Sequence, residues 1–244
     1  MTSYARPDLE ASLSDPDLKQ RYVRRLFSTI ADRYDLVTRA LSYGRDAAWK
    51  RRLVSLSDAR PGTRALDLAC GTGDIAFALQ GRGCRVVAVD VTVRMIEIAR
   101  LKATKYVSPI TFLVGDMMAL PFRDATFDLV TIGYGIRNVP QIPPAIGEIR
   151  RVLRPGGIVL SLDFDRPASA PLRWIYLAYL TLVGSVLGWI LHRDPDTYRY
   201  IPESIKRYPG AASVSRLFEA AGFMECAVVP LLGGLMAINT ARRP

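Results

Sequence analysis

The chain is expected to fold as one α/β domain around a mostly parallel, seven-stranded sheet with helices on both faces. Three observations carry that expectation. Apolar runs of strand length alternate with segments of helical periodicity through the middle of the chain, the pattern of a wound parallel sheet. The first such run, in Arg64–Asp74 (RALDLACGTGD), breaks into the glycine-rich turn Gly71-Thr72-Gly73. The second run, Val86–Val89, ends in an acid, Asp90, seventeen residues after Gly73.

The elements follow in order. Residues 1–58 precede the first strand and are expected to form a helical cap; the start, MTSYARPDLEASLSDPD, is polar and has no signal-peptide pattern. Strands are expected at 64–69, 85–90, 110–115, 127–133 and 157–162, with helices at Ile75–Gln80, Arg94–Lys105 and Pro143–Leu153 between them. Arg154-Pro155-Gly156-Gly157 ends a helix and starts the fifth strand. A last helix, Ser213–Ala221, stops at Gly222, and the runs 223–229 and 234–239 read as an antiparallel hairpin at the sheet edge. With 244 residues, half of them apolar, the chain has ample material for one core.

One segment departs from the alternation. Trp174–Leu191 (WIYLAYLTLVGSVLGWIL) is eighteen residues without a charge, the lower limit of a spanning helix. It contains Gly184, Ser185 and Gly188, and a span there would part the edge strands from the rest of the sheet. The reading adopted is an apolar lid, helical in part, within an insertion at 166–210; two short core helices are the alternative.

The glycine turn and the two acids point to a nucleoside-type cofactor. Glycine lets a ligand approach the main chain, and an acid at the second strand end can accept both hydroxyls of a ribose. Gly71-x-Gly73-x-x-Ala76 also fits the relaxed dinucleotide fingerprint, which keeps a nicotinamide cofactor open. Against it, Ala69-Cys70 separate strand and first glycine, and Asp67 would repel a pyrophosphate while welcoming a cationic amino-acid group. S-adenosylmethionine carries an ammonium and a sulfonium and no phosphate.

Composition narrows the remaining classes. His192 is the only histidine, which excludes a multi-histidine metal site, and no metal is expected. Three scattered cysteines, Cys70, Cys84 and Cys226, suggest a reducing compartment without a disulfide framework. The net charge of +10 is concentrated early, at Lys19, Arg21, Arg24, Arg25, Arg33, Arg39, Arg45 and Lys50–Arg52. No nucleic-acid-binding module is visible, so an anionic membrane surface is the favoured partner; plain solubility is the alternative.

Several separate motifs together resemble the ubiquinone/menaquinone-biosynthesis C-methyltransferases. These are Arg33-Tyr34-Asp35, Ser42-Tyr43-Gly44 with Trp49-Lys50, Leu66–Asp74, Ala119-Leu120-Pro121-Phe122 with Thr126-Phe127-Asp128, Gly133–Val139, Arg151–Gly157, and Tyr198-x-Tyr200-x-x-Glu203-Ser204-Ile205. The resemblance covers about Leu26 to Asn239 and implies a Rossmann-like, S-adenosylmethionine-dependent methyltransferase. Thr38, Asp163 and Asn239 depart from the family's usual Asn, Glu and His.

That resemblance implies methyl transfer to a ring carbon of a polyprenyl quinol, demethylmenaquinol first and a ubiquinone precursor second. It places Arg137 beside a developing phenolate, with Asn138 orienting it and Tyr34, Tyr198 and Tyr200 around the head group. Asp163 and Asp165 are candidate bases only by their place at a strand end. With the strand-end positions it implies a cofactor site of Asp67, Gly71, Thr72, Gly73, Asp90, Asp116, Met117 and Gly133, with Asp116 on the adenine amine. The expected protein is cytoplasmic and peripherally bound to the inner face of the membrane; a homodimer stays open. Two other classes stay open as well, a non-catalytic module of a quinone-biosynthesis assembly and a nicotinamide-dependent oxidoreductase.

Overall fold

The computed structural model describes residues 9–104, 110–167 and 169–244. Most of the polar start, Lys105 of the predicted second helix and Ala168 of the predicted insertion lie outside the described residues.

The cap comprises α1 (Leu9–Ser14), α2 (Pro16–Ile30), α3 (Tyr34–Leu41) and α4 (Asp46–Leu56). α2 starts where its sequence says it should. The Asp15 carboxylate accepts from the Leu18 N–H at 2.9 Å, and Pro16 occupies the first turn, where no N–H is needed. Val23, Leu26 and Ile30 then form one buried stripe.

The sheet runs β3-β2-β1-β4-β5-β7-β6. β1 (Arg64–Leu68), β2 (Arg85–Asp90), β3 (Thr111–Val114), β4 (Phe127–Gly133) and β5 (Leu153–Phe164) are parallel. β6 (Met224–Leu231) and β7 (Met236–Arg242) form the predicted edge hairpin, with β7 antiparallel to both β5 and β6. β1 lies between β2 and β4, so the strand order reverses there and the carboxyl ends open into a crevice. The connecting helices α5 (Asp74–Gln80), α6 (Val93–Ala103), α7 (Ile142–Val152) and α10 (Ala211–Ala220) match the periodic segments to within two residues at each end. β5 starts earlier than 157, because Leu153 already pairs with Phe127 before a register shift.

Strand alternation divides the core. Leu66, Leu68, Val130 and Ile132 face α7 and α10, where Ile146, Ile149, Val214 and Phe218 pack. Ala65, Leu129, Leu160 and Leu162 face the opposite layer with Leu53, Ile75, Phe77 and Ile96. A third cluster joins Val23, Leu26, Ile30, Val37 and Leu41 of the cap to Tyr176, Leu180, Tyr198 and Tyr200.

The uncharged segment is one continuous helix, α8 (Ala170–His192), rather than a partly helical lid or two short ones. Tyr176, Leu180, Gly184 and Gly188 form its buried row. Gly188 is small of necessity: a Cβ there would stand 2.4 Å from the Asp194 carbonyl oxygen. The chain returns through α9 (Tyr200–Arg207). The other face of α8 is open, with Trp174 at 72% and Trp189 at 66% exposure, accompanied by Ile175, Leu182, Val186 and Ile190. Its length and mean hydropathy of 1.8 would allow it to cross a membrane.

Candidate active site

Two cavities sit above the crevice. The first lies over β1, β2 and β4 and is lined by Gly71, Asp90, Asp116, Met117, Gly133 and Asn138, with Gln20, Val23 and Phe27 of α2 as its roof. The second is walled by Leu26, Ile30, Val37, Leu41, Trp49, Phe164 and Tyr198, and Arg137 is the charged residue in its lining. Phe27, Tyr34 and Tyr134 belong to both and form the partition.

The first cavity is built from strand ends. Asp90 closes β2 and is oriented by two backbone donors: Gly71 N–H to Oδ2 and Thr92 N–H to Oδ1, each at 2.8 Å. Each oxygen keeps a lone pair for a ligand hydroxyl. Burial raises its pKa, and those two donors act against the rise. Ala69 and Tyr134, at neighbouring strand ends, hold left-handed backbone at φ 49° and 58°. Such strain on non-glycine residues is typical of ligand sites. Gly135 lets these two ends meet, since a Cβ there would lie 2.5 Å from the Ala69 methyl.

Asp116 is already engaged. Its Oδ1 accepts from the Met118 N–H at 2.9 Å, while Oδ2 accepts from the Gln20 side-chain amide and lies 3.6 Å from Arg24. Gln20 thus presents an NH₂ group to the carboxylate expected to receive an adenine amine. Next to it, the Lys19 ammonium donates to the Val139 carbonyl at 2.6 Å and the Arg137 carbonyl at 3.1 Å. Burial, then Arg137 and Arg207, push its pKa down to about 8.

In the second cavity the Arg137 guanidinium lies 4.6 Å over the Phe164 ring. Nη1 donates to Asp163 at 2.6 Å and to the Tyr134 carbonyl at 3.0 Å, while Nε is buried without an acceptor. Burial works to lower its pKa, but Asp163, Tyr200 and Tyr34 together outweigh it and the net shift is upward. The site therefore holds a permanent cation with a donor to spare, facing hydrocarbon.

The structure places several of the predicted residues away from the two cavities. Thr72 and Gly73 do not line the first cavity: the Thr72 hydroxyl donates to Asp35 at 2.7 Å, and Gly73 packs against Phe77 and Phe112. Asp67 is fully buried behind the loop, its Oδ1 accepting from Thr131 at 2.8 Å and its Oδ2 unpartnered. It shares a face with Ala65, so the pleat turns it inward. Tyr200 lies behind the wall and donates to the Asn138 amide oxygen at 2.9 Å. Asn138 lines the first cavity, not the second, and its amide donates at 2.8 Å to the Tyr134 carbonyl that Arg137 also uses. Neither predicted base is free. Asp163 is paired with Arg137, and Asp165 accepts from the backbone N–H of Ala211 at the start of α10.

Sequence reasoning missed Gln20, Phe27 and Asp46. The Tyr134 hydroxyl donates to Asp46 at 2.7 Å, and Lys50 bridges Asp46 at 2.7 Å and Asp74 at 2.9 Å. Asp46 lay between two of the quoted motifs but in neither.

The sheet order and cavity placement are those of S-adenosylmethionine-dependent methyltransferases. A methyltransferase of Thermotoga maritima, described as a possible histamine N-methyltransferase, matches 91% of this chain and all of its own with a TM-score of 0.65 at 21% identity. The [4+2]-cyclase SpnF matches 91% of this chain and 95% of its own at 0.60 and 19%, so the fold alone does not fix the chemistry. The profile of the ubiE/COQ5 methyltransferase family matches residues 16–243, and the chain belongs to that family. A demethylmenaquinone methyltransferase of Thermus thermophilus is 41% identical over 90% of this chain and the whole of its own length. One from Staphylococcus aureus is 34% identical over 93% of this chain and 95% of its own.

Proposed function

We propose that the protein methylates a ring carbon of demethylmenaquinol, using S-adenosylmethionine, at the inner face of a membrane. The observation that carries this reading is the pair of adjoining cavities: one ends in strand-end carboxylates, the other is hydrocarbon with one buried arginine. Family membership makes the protein an S-adenosylmethionine-dependent quinone C-methyltransferase; the head group follows the curated relatives.

The residues present suit the cofactor. Asp90 has lone pairs for ribose hydroxyls, Asp116 for the adenine amine once Gln20 yields, and Gly71 and Gly133 leave room for the methionine portion. When bound, S-adenosylmethionine supplies an electrophilic methyl group on a sulfonium. The chain's own part is to make the ring carbon nucleophilic. Arg137, with its spare donor, stabilises the quinol oxygen as it becomes anionic, and charge spreads from that oxygen to the neighbouring carbon. Phe27, Tyr34 and Tyr134 hold the ring against the partition, which converts alignment into rate. Tyr200 and Asn138 act through Arg137 as positioning residues, by fixing the Tyr134 carbonyl.

The membrane completes the reading, because a polyprenyl tail keeps the quinol in lipid. The exposed apolar row of α8 and the basic cap supply the hydrophobic and charge contributions that reversible surface binding needs. Purified protein with methyl-labelled S-adenosylmethionine and chemically reduced demethylmenaquinone is expected to label the lipid-soluble fraction. The oxidised quinone, which has no hydroxyl to ionise, is expected to stay unlabelled. Absence of label with the quinol overturns the proposal.

A further inference from the structure

We propose that Tyr134 and Asp46 form the proton acceptor for the quinol, the substrate hydroxyl giving its proton to the Tyr134 oxygen while Tyr134 passes its own to Asp46. This rests on the reading of the protein as a quinol C-methyltransferase.

The geometry is specific. Tyr134 stands in the partition between the two cavities, held in left-handed backbone, with its ring 5.8 Å from that of Phe164. Its hydroxyl hydrogen is committed to Asp46 Oδ1 at 2.7 Å. A phenol in that state offers only lone pairs to a ligand, so it accepts from the quinol rather than donating to it. Asp46 opens α4, and the residues around it, Ser42 and Trp49, line the second cavity. Asp163 is paired with Arg137 and Asp165 accepts from α10, whereas Asp46, itself paired with Lys50, is the carboxylate that accepts from the Tyr134 hydroxyl.

Charged and titratable groups face the pair from every element packed against it. Lys50 holds Asp46 Oδ2 at 2.7 Å, Asp74 shares Lys50 from α5, Tyr34 faces both from α3, and the Arg137–Asp163 pair closes the β4 and β5 side. Burial holds Tyr134 well above the usual tyrosine pKa, so the ring passes a proton on without becoming a phenolate itself. In the step, the quinol O–H bond breaks and its electron pair stays on the quinol oxygen beside Arg137. A new O–H bond forms at Tyr134, and the former Tyr134 proton ends on Asp46 as a neutral carboxylic acid. The Asp46 side chain keeps 13% exposure, and through that opening solvent removes the proton afterwards.

The test uses the full chain, vesicle-borne reduced demethylmenaquinone and single-turnover and steady-state rates from pH 6 to 9. Tyr134→Phe and Asp46→Asn should each lower kcat by about 100-fold at pH 7. The double variant should lose no more than the worse single one. Asp46→Glu should recover part of the loss. In the two single variants kcat should climb with pH as quinol ionises into solvent, while the original protein stays nearly flat. Binding of S-adenosylmethionine to Asp46→Asn, whose side chain lines neither cavity, should be unchanged by calorimetry, which separates this effect from misfolding. Variants within threefold of the original rate, or with the same pH profile, overturn the relay. An original protein that labels no quinol overturns the functional reading instead.

Discussion

Arg137 brings a charge into a cavity otherwise walled by hydrocarbon, and its partners fix what a substitution there should do. A lysine keeps the charge but cannot serve Asp163, the Tyr134 carbonyl and a ligand oxygen from one planar fork. Arg137→Lys is therefore expected to lower kcat by about ten- to hundredfold while changing KM for either substrate much less. Normal turnover in a folded variant would leave Arg137 structural. Asp67 makes a second case. Burial pushes its pKa up from 3.8 to about 7, with the Thr131 hydroxyl acting against the rise. The folded state thus keeps a proton that the unfolded chain has released, and stability falls as pH rises from about 4 through 7. Asp67→Asn should melt above the parent protein at pH 8, by up to about 4 kcal/mol, and the gap should close toward pH 4. A gap independent of pH sinks that account. Asp90, Asp116 and Arg137 were legible because they follow apolar runs, where strand ends gather ligands. Asp67 misled because an acid beside a glycine loop looks exposed, whereas the pleat turns it under the loop. Asp46 and Gln20 gave no signal, since the docking of a helical cap onto a sheet leaves no mark in local periodicity.

Among the elements, α8 differs most from its expected form. Its composition is apolar all round, so periodicity could not say which face is covered. The tight contacts of Gly184 with Tyr198 and of Gly188 with Asp194 choose that face, and both are made with the chain that returns after the helix, which periodicity within the helix does not show. Trp174 and Trp189 remain outside, fifteen positions apart, about 22 Å along the axis. A helix lying in the lipid interface with a tryptophan toward each end is the arrangement this implies. Replacing both tryptophans by serine should weaken binding to vesicles containing anionic lipid by about tenfold or more, with S-adenosylmethionine affinity unchanged. Unaltered sedimentation of that variant would assign the exposed row to some other partner.

At the level of the whole molecule, the strand–helix alternation made the sheet legible nearly element by element, including the edge hairpin. The cap was legible only as basic and helical. Its charge has a consequence measurable in the same vesicle assay. Surface attraction is screened over about 10 Å at 0.1 M salt, so binding to anionic vesicles should drop steeply between low and high ionic strength. Neutral vesicles should bind weakly at both. Binding that resists high salt and alkaline carbonate would mean that α8 is inserted through the bilayer.

The second helix of the cap roofs both cavities at once, through Gln20 and Val23 over one, Leu26 and Ile30 over the other, and Phe27 over both. Its fastenings to the sheet side are few: two hydrogen bonds from Lys19 and the contacts of Gln20 and Arg24 with Asp116. On the proposed reading, one wall therefore borders two ligands that live in different phases, one dissolved in water and one dissolved in lipid.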